Sequence, residues 1–328
     1  MSGPRIGLVG VATYLPPEIR RNARVLAEMA AQAADPFQGV TERRVMPAEM
    51  TSVDMEVEAA ELAIARAGID RGAIDALLTH TAVPEYLLSN TACVLHHRLG
   101  RSPGCFAMQA EASGNSFLMQ LTLAEQLIAS GRARHALIVQ SAAGSRLLDP
   151  DSPMSPLFGD GASAVVVGPV ERGGLLAAVV RTDGSYPRGL IASVPGRRWY
   201  DDGRIVLHSG DMAAMRQIFL ETADRAAEVV GAVLAAAGQA AEEVALFAVH
   251  QGTPWLRRVT QEACGLGRAR AVDTFATTGY LFGASIPLVL GTAEHRGLVA
   301  PGDLVVMHGG GVGSTYGAVA LRWGAERA

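Results

Sequence analysis

A turn between a predicted strand and a predicted helix is where this chain could place a nucleophile. Residues 106–117 read FAMQAEASGNSF, and the turn itself is built from Ala112, Ser113 and Gly114. Small side chains let other backbone approach, and the first turn of a helix has free N–H groups that favour negative charge. A reactive group at the apex of this elbow (residues 106–117) would be stabilised as an anion. The apex residue, however, is Ala112, which has no reactive group.

Two further stretches carry groups suited to related chemistry. His250 follows a predicted buried strand, residues 244–249, and precedes a Gly-Thr-Pro turn. A lone histidine there is most simply structural, but it can also act as a general base or oxyanion donor near neutral pH. The run Gly309-Gly310-Gly311 lacks the Lys-Ser/Thr of a phosphate-binding loop, so we interpret it as a tight turn that could contribute to an oxyanion hole.

The elements that must position these groups alternate between strand and helix. Apolar runs predict strands at 6–12, 76–81, 105–110, 136–140 and 158–167, and helical spacing ending near glycine predicts helices at 55–67, 90–99 and 116–129. Buried strands alternating with helices are typical of α/β proteins whose parallel or mixed sheets are covered on both faces. We therefore predict an α/β fold.

The chain also repeats itself. Gly68 is followed by His80 after twelve residues, and Gly238 is followed by His250 after twelve residues. The repeat predicts two pseudo-symmetric halves, residues 1–170 with the elbow and residues 171–328 with His250 and the glycine loop, and it matches Ala112 with Gly279. Equivalent loops would meet at the junction, which would bring Ala112, His250, Tyr280 and the loop that begins at His308 together.

Composition excludes several classes of protein. The 328 residues are 49% hydrophobic and 18% charged, with a net charge of −4, which gives no reason to expect a nucleic-acid partner. The sequence has no apolar run long enough to span a membrane and no signal-peptide pattern at its start, so we expect a cytoplasmic protein. Cys93, Cys105 and Cys264 are widely spaced, which argues against disulfides and a metal site, and we expect each to be buried.

The order of these motifs resembles ketoacyl-ACP synthase III of the thiolase superfamily. The resemblance runs from Ser113-Gly114 through Phe158-Gly159-Asp160-Gly161, Asp183-Gly184-Ser185-Tyr186, His250-Gln251 and Ala284-Ser285-Ile286-Pro287 to the glycine loop, and so covers essentially the whole chain. It implies a thiolase-like, five-layered αβαβα fold and an acyltransferase of fatty-acid, polyketide or specialised metabolism. It also implies a homodimer, or a heterodimer with a related ketosynthase, with acyl-ACP or acyl-CoA as substrate and no metal or other cofactor.

In that family a cysteine at the elbow takes the acyl group, because a thiolate at a helix N-terminus has a lowered pKa. The resemblance matches that cysteine to Ala112, the catalytic histidine to His250 and the catalytic asparagine to Tyr280. It assigns the oxyanion hole to the N–H groups of Ala112 and Gly310.

The resemblance also suggests roles outside the triad. Arg257 matches the arginine that docks the carrier protein. Leu87 and Leu88 match a loop that enters the partner's acyl pocket, and this role is compatible with ordinary interface packing. Glu111 could act as a base toward an acceptor or point away and pair with an arginine.

Two explanations for Ala112 stay open at this point. Either the natural residue is Cys or Ser and this chain is a variant made to trap a ligand, or the gene encodes Ala and an acyl-enzyme cannot form. Tyr280 could be a hydrogen-bond donor or only a bulky plug. The sequence therefore leaves two functions: acyl transfer to a small acceptor by condensation or by ester or amide formation, and an inactive partner subunit of a ketosynthase heterodimer. Tyr280 disfavours ordinary fatty-acid initiation.

Overall fold

The computed structural model of the chain describes residues 4–22, 40–149, 152 and 154–324. The elements up to residue 169 are β1 (Ile6–Tyr14), β2 (Glu18–Arg21), β3 (Glu42–Val45), α1 (Ser52–Ala67), β4 (Ala76–Thr81), α2 (Thr91–Arg98), β5 (Phe106–Gln109), α3 (Ser116–Ala129), β6 (Ala136–Ala143), α4 (Gly144–Leu147) and β7 (Asp160–Pro169). The elements that follow are β8 (Gly174–Thr182), β9 (Ile191–Ser193), β10 (Val206–His208), α5 (Met212–Ala237), β11 (Val244–Val249), α6 (Leu256–Ala263), α7 (Phe275–Thr278), α8 (Ser285–His295), β12 (Leu304–Gly311) and β13 (Thr315–Arg322).

Two mixed sheets form the framework. The first has the strand order β1-β7-β6-β4-β5, in which β4 is parallel to β5 and β6 while β7 is antiparallel to β1 and β6. The second has the order β11-β12-β13-β8, in which only β11 and β12 are parallel. Each sheet draws its strands from one part of the chain, before or after residues 170–173. The prediction of mixed sheets is confirmed.

Alternating side chains place each sheet between two layers of helices. On β6, Leu137 and Val139 face a core that contains α1 and α2, whereas Ile138 faces the core between the sheets. That central core contains α3 and α8. On β12, Val305 also faces the central core and Val306 faces α5. The layers are therefore α1/α2, sheet, α3/α8, sheet and α5, and the predicted five-layered αβαβα fold of two similar halves is confirmed.

The glycines that revealed the repeat are helix ends. Gly68 ends α1 with φ 64°, and Gly238 ends α5 with φ 63°. Glycine adopts this left-handed conformation without the steric cost that a Cβ would bring, which is why it terminates helices so often. Each helix end is followed by the strand, β4 or β11, that leads to a histidine.

Some local predictions need correction. The strand predicted at 136–140 continues to Ala143, because residues 141–143 still pair with residues 160–162 of β7. Cys105 is buried, but Cys264 is only partly buried and Cys93 is exposed, so the prediction of three buried cysteines is wrong. Cys93 lies in the first turn of α2, on the side that faces solvent. Within the described ranges, no helix combines the length and apolarity that crossing a membrane requires.

Candidate active site

The elbow is a strained turn at the start of α3. Ser113 has φ 51° and begins a single 3-10 turn, Ser113–Asn115, that runs into α3. Phe282 has φ 47° and begins the turn Phe282–Ala284 in the same way before α8. Non-glycine residues rarely adopt positive φ, so these turns are a shared feature of the two halves. The structural counterpart of Ala112 is therefore Leu281, two residues beyond the Gly279 that sequence spacing predicts.

Gly114 is a point of close approach between the two halves at the site. A Cβ built on Gly114 would lie 2.4 Å from the Gly310 carbonyl oxygen, 2.6 Å from the Tyr280 hydroxyl and 3.1 Å from His250 Cδ2. These distances leave no room for a side chain. The structure thus brings three of the predicted site residues, His250, Tyr280 and Gly310, together against the first turn of the elbow.

Ala112 lies beside this group, but its backbone is already engaged. The residue is only 7% exposed, and its N–H donates to Ser116 Oγ over 2.8 Å. Its carbonyl accepts a 3.4 Å hydrogen bond from Thr315 Oγ1 of the second half. The N–H group that the resemblance assigns to the oxyanion hole therefore has a side-chain partner, the first residue of α3.

His250 is held in one tautomer by the run Gly309-Gly310-Gly311. The sequence predicts a tight turn there, but the structure places the three glycines at the end of strand β12, where they pair with β13. The Gly310 N–H donates to His250 Nδ1 over 3.1 Å, and a backbone N–H can only donate. Neutral His250 consequently carries its proton on Nε2. Burial, with a smaller contribution from His308, lowers the pKa of His250 to about 3, so the ring is neutral near pH 7. The same bond engages the second N–H predicted for the oxyanion hole, and His250 itself presents a donor.

A second histidine, His308, completes the site in the opposite tautomer. The sequence identified it only as the start of the glycine loop. Its Nδ1 lies 3.0 Å from the Gly317 carbonyl oxygen, which can only accept, so Nδ1 carries the proton and Nε2 is an acceptor. The His250 and His308 ring centroids are 6.2 Å apart. Burial lowers the pKa of His308 to about 4, with the Gly317 contact opposing part of that shift, so this ring is also neutral near pH 7.

Tyr280 is a buried, protonated phenol. Burial, reinforced by the Glu111 carboxylate, raises the pKa of Tyr280 well above its ordinary value. The Ser113 hydroxyl is near enough to oppose part of that rise, but it makes no hydrogen bond of normal geometry. The phenol ring packs against Phe158 and Phe282, with centroid distances of 5.6 and 4.7 Å. Its hydroxyl can therefore donate a hydrogen bond, and its ring also fills volume.

Glu111 points away from this group. Its carboxylate pairs with His80 Nδ1 over 2.7 Å and accepts the Ser113 N–H over 2.7 Å. Burial opposes ionisation, but those two contacts hold the pKa of Glu111 below its ordinary value. The carboxylate is thus paired with a histidine, where the sequence suggested an arginine, and it helps to fix the elbow.

A cavity of about 160 Å³ opens onto the histidines and Tyr280. Its polar wall contains His250, His308 and Tyr280 and the backbone of Gly310 and Gly311. The other polar side chains of the lining are Thr222, Arg225, Thr253, Ser314, Thr315 and Tyr316. Its apolar wall is lined by Met154, Leu157, Phe158, Leu190, Met215, Ile218, Phe219, Leu256 and Val312. An apolar chamber with a few convergent polar groups is the usual form of a small-molecule site.

The remaining predicted residues lie outside the cavity lining. Leu87 and Leu88 are 70% and 98% exposed on the loop before α2. Arg257 is half-buried on α6, and its guanidinium reaches Gln261 over 3.5 Å. Across residues 4–22, 40–149, 152 and 154–324, no group of three His, Cys, Asp or Glu side chains is arranged to hold a metal ion.

The chain is similar to known proteins in sequence and in fold. Residues 108–184 match the family model of 3-oxoacyl-[acyl-carrier-protein] synthase III, and residues 234–323 match the model of its C-terminal region. Among solved structures, the chain is similar to 3-oxoacyl-(acyl carrier protein) synthase III, FabH, from Pseudomonas aeruginosa PAO1. The two share 28% identity over 98% of this chain and 99% of the other, with a TM-score of 0.86.

Two other solved structures extend the comparison. The synthase III from Aquifex aeolicus VF5 has 28% identity over 98% of this chain and 100% of its own length, with a TM-score of 0.85. OleA from Xanthomonas campestris, in a variant structure with bound lauric acid and lauroyl-CoA, has 19% identity over 97% of this chain and 99% of its own length. Its TM-score of 0.84 shows a shared fold.

Proposed function

Because the chain belongs to the 3-oxoacyl-ACP synthase III family, whose members are acyltransferases that act on acyl thioesters, we propose that it transfers an acyl group directly to a small acceptor. The donor is a thioester of acyl carrier protein or coenzyme A. The observation that carries this proposal is the Gly310 N–H bond to His250 Nδ1, which leaves a proton on Nε2. A neutral donor in an apolar cavity is suited to polarise a thioester carbonyl.

The proposed reaction needs no acyl-enzyme. The methyl side chain of Ala112 cannot attack a thioester, so the acceptor itself attacks the carbonyl carbon. A bond to the acceptor forms, the carbon–sulfur bond breaks, and the thiol leaves with the proton that the acceptor loses. His250 Nε2–H and the Tyr280 hydroxyl would donate to the carbonyl oxygen as it gains negative charge, and preorganised donors of this kind are commonly worth a factor of about 100 to 1,000 in rate.

The assembly and carrier contacts are part of the same proposal. Arg257 on α6 would receive the acidic carrier protein, whose prosthetic group would reach the cavity. Leu87 and Leu88 would be covered by a second subunit, since with Tyr86 they form a contiguous run of exposed large hydrophobic side chains. The partner would be a second copy of this chain or a related ketosynthase.

One observation favours a second function. Ala112 offers no nucleophile, and the two N–H groups expected to bind an oxyanion are engaged by Ser116 and His250. A subunit with that arrangement could serve only to complete the dimer of an active ketosynthase. Under this alternative the chain would have no turnover of its own and would raise the activity or stability of its partner.

Turnover by the purified chain separates these functions. Acetyl- and octanoyl-CoA, and octanoyl-ACP, would be incubated with a panel of small alcohols, amines and malonyl-CoA while thiol release is followed. Acceptor-dependent thiol release with no covalent adduct on the protein by intact mass is the result expected for direct transfer. An adduct would mean that another residue serves as nucleophile, and no thiol release from any pair would favour the inactive subunit.

Matched variants of His250 test the role of Nε2. In His250→Asn, the amide oxygen can still accept the Gly310 N–H, but the donor at the Nε2 position is lost. In His250→Gln, the longer amide restores a donor near that position. We expect His250→Asn to reduce kcat/KM at least 100-fold and His250→Gln to retain more of it. Equal activity of wild type and His250→Asn would remove His250 from the mechanism.

A further inference from the structure

We propose that His308 Nε2 takes the hydrogen of the molecule that receives the acyl group. The chain would then acylate an oxygen or nitrogen nucleophile, a hydroxyl or an amine, in preference to a carbon nucleophile. This inference rests on the proposed direct transfer and specifies the class of acceptor for that same cavity. It assigns His308 a catalytic contact with the acceptor.

The two histidines offer complementary groups to the cavity. The Gly310 N–H fixes His250 with a donor at Nε2, and the Gly317 carbonyl fixes His308 with an acceptor at Nε2. Both rings line the cavity, their centroids are 6.2 Å apart, and no described residue donates to His308 Nε2. A carbonyl oxygen needs the donor, and an attacking O–H or N–H group needs the acceptor. The pair therefore matches both reactants of an acyl transfer to a heteroatom.

A carbon nucleophile fits this pair poorly. Decarboxylation of a malonyl thioester leaves an enolate, which is stabilised by donors around its oxygen and has no proton to give at the attacking carbon. The lone pair of His308 Nε2 would face that negative charge. An acceptor at the His308 Nε2 position would thus raise the barrier to carbon–carbon bond formation, while it would favour a neutral hydroxyl or amine.

The proton balance of the step is complete. The acceptor oxygen or nitrogen bonds to the thioester carbon as its hydrogen passes to His308 Nε2, and His250 Nε2–H donates to the carbonyl oxygen. When the tetrahedral intermediate collapses, the carbon–sulfur bond breaks and the proton on His308 Nε2 passes to the leaving sulfur. The products are an ester or amide and a free thiol, and His308 returns to its neutral tautomer still bonded to Gly317.

The burial of His308 keeps its ring in the neutral form. The side chain is 2% exposed, and His250 and Tyr280 on the same wall are neutral near pH 7. Arg225 and Tyr316 also line the cavity, and neither a guanidinium nor a neutral phenol can compensate an imidazolium. No described carboxylate lies on the lining. His308 is thus kept neutral, with its Nε2 lone pair free to accept a hydrogen bond, and any proton that it takes is quickly given up.

Product identity is the first test. Octanoyl-CoA would be supplied with equal concentrations of 1-butanol, butylamine and malonyl-CoA, and the products separated by mass. The expected products are the butyl ester or butyl amide together with free coenzyme A. A β-keto thioester formed with release of carbon dioxide as the main product would overturn the inference and leave acyl transfer itself standing, whereas absence of all products would overturn both.

A matched pair of His308 variants is the second test. His308→Asn keeps an N–H that can reach the Gly317 carbonyl but removes the acceptor at the Nε2 position. His308→Gln loses the Gly317 contact but brings an amide oxygen near the Nε2 position. We expect His308→Asn to lower kcat at least 100-fold, with an unchanged KM for octanoyl-CoA and an unchanged thermal midpoint. For the small molecule that receives the acyl group, the KM of His308→Gln should lie nearer that of wild type than the KM of His308→Asn does.

The opposite pattern identifies a structural role. If His308 only braces β13, His308→Gln would be the less stable variant and the less active one, and His308→Asn would behave as wild type. That result would overturn the inference. Both variants would be compared with wild type by circular dichroism, so that a loss of activity through misfolding is recognised.

Discussion

Substitution of Gly114 by alanine should disturb the contact on which the whole site depends. The new Cβ would lie 2.4 Å from the Gly310 carbonyl oxygen, whereas ordinary contacts of a Cβ begin near 3.4 Å. The backbone at the glycine end of β12 would have to move by about 1 Å, since overlaps of this size are not absorbed by well-packed interiors. We expect the free energy of unfolding to fall by about 1–3 kcal/mol, in the range found for overpacked cores.

The displacement of Gly310 should also lower the rate of acyl transfer. Gly310 holds His250 in its tautomer, and a shift of about 1 Å in a positioning group can cost about 100-fold in rate. Unfolding would be measured by urea titration followed by circular dichroism, and transfer by thiol release. Tyr280→Phe removes the atom 2.6 Å from the new methyl group, so Gly114→Ala should cost less in that background.

Gly231→Ala on α5 provides the control. A Cβ at Gly231 meets nothing within 4 Å, and alanine is favoured over glycine inside helices by about 0.5–1 kcal/mol. This variant should be more stable than wild type. If Gly114→Ala unfolded at the same urea concentration as wild type and kept its activity, the close approach of the two halves at Gly114 would be wrong.

Three further outcomes are expected. Ala112→Cys places a thiol at the start of the helix and should yield an acyl adduct by intact mass after incubation with octanoyl-CoA; an unmodified protein would mean that the elbow no longer activates a nucleophile. The folded-state pKa values of His250 and His308, about 3 and about 4, lie below the unfolded value near 6.5, so their stabilisation is present above pH 6.5 and is lost as pH falls. Between pH 7 and 5 the free energy of unfolding in urea should fall by about 4 kcal/mol more for wild type than for the double variant His250→Asn, His308→Asn. Parallel pH profiles of the two proteins would contradict the burial assigned to the histidines. Burial raises the pKa of Glu56 to about 8, so the contribution of this side chain to the free energy of unfolding is greatest below pH 4.5 and is lost as pH rises toward 8. Glu56→Gln should remove that loss of stability. If the pH profile of stability between pH 5 and 8 were the same in wild type and Glu56→Gln, the raised pKa would be wrong.

The fold was largely predictable because its signals are local. Apolar runs and terminal glycines such as Gly68 and Gly238 mark where strands and helices end, and they depend on a few neighbouring residues. The spacing between repeats also predicted that His250 and Tyr280 would approach the elbow. It matched Ala112 with Gly279 because spacing alone cannot detect the two-residue difference between the loops that precede the turns.

The chemistry of the site was less predictable because it depends on contacts between distant residues. His250 takes its tautomer from Gly310, sixty positions away, and His308 takes its tautomer from Gly317 on the adjacent strand. The pairing of Glu111 with His80 likewise depends on the positions of two strands in one sheet. Residue types indicate which groups can donate or accept, but only the assembled backbone decides which of them are already satisfied.

The central layer of α3 and α8 has a consequence for folding. Its apolar side chains, among them Phe117, Leu121 and Val289, pack with strands of both sheets in one continuous core. Separation of the halves would expose that core on both and would leave each half only the outer core that its sheet forms with α1 and α2 or with α5. The chain should therefore melt in a single cooperative transition, with equal calorimetric and van't Hoff enthalpies, and fragments cut at residues 170–173 should become soluble only when they are expressed together.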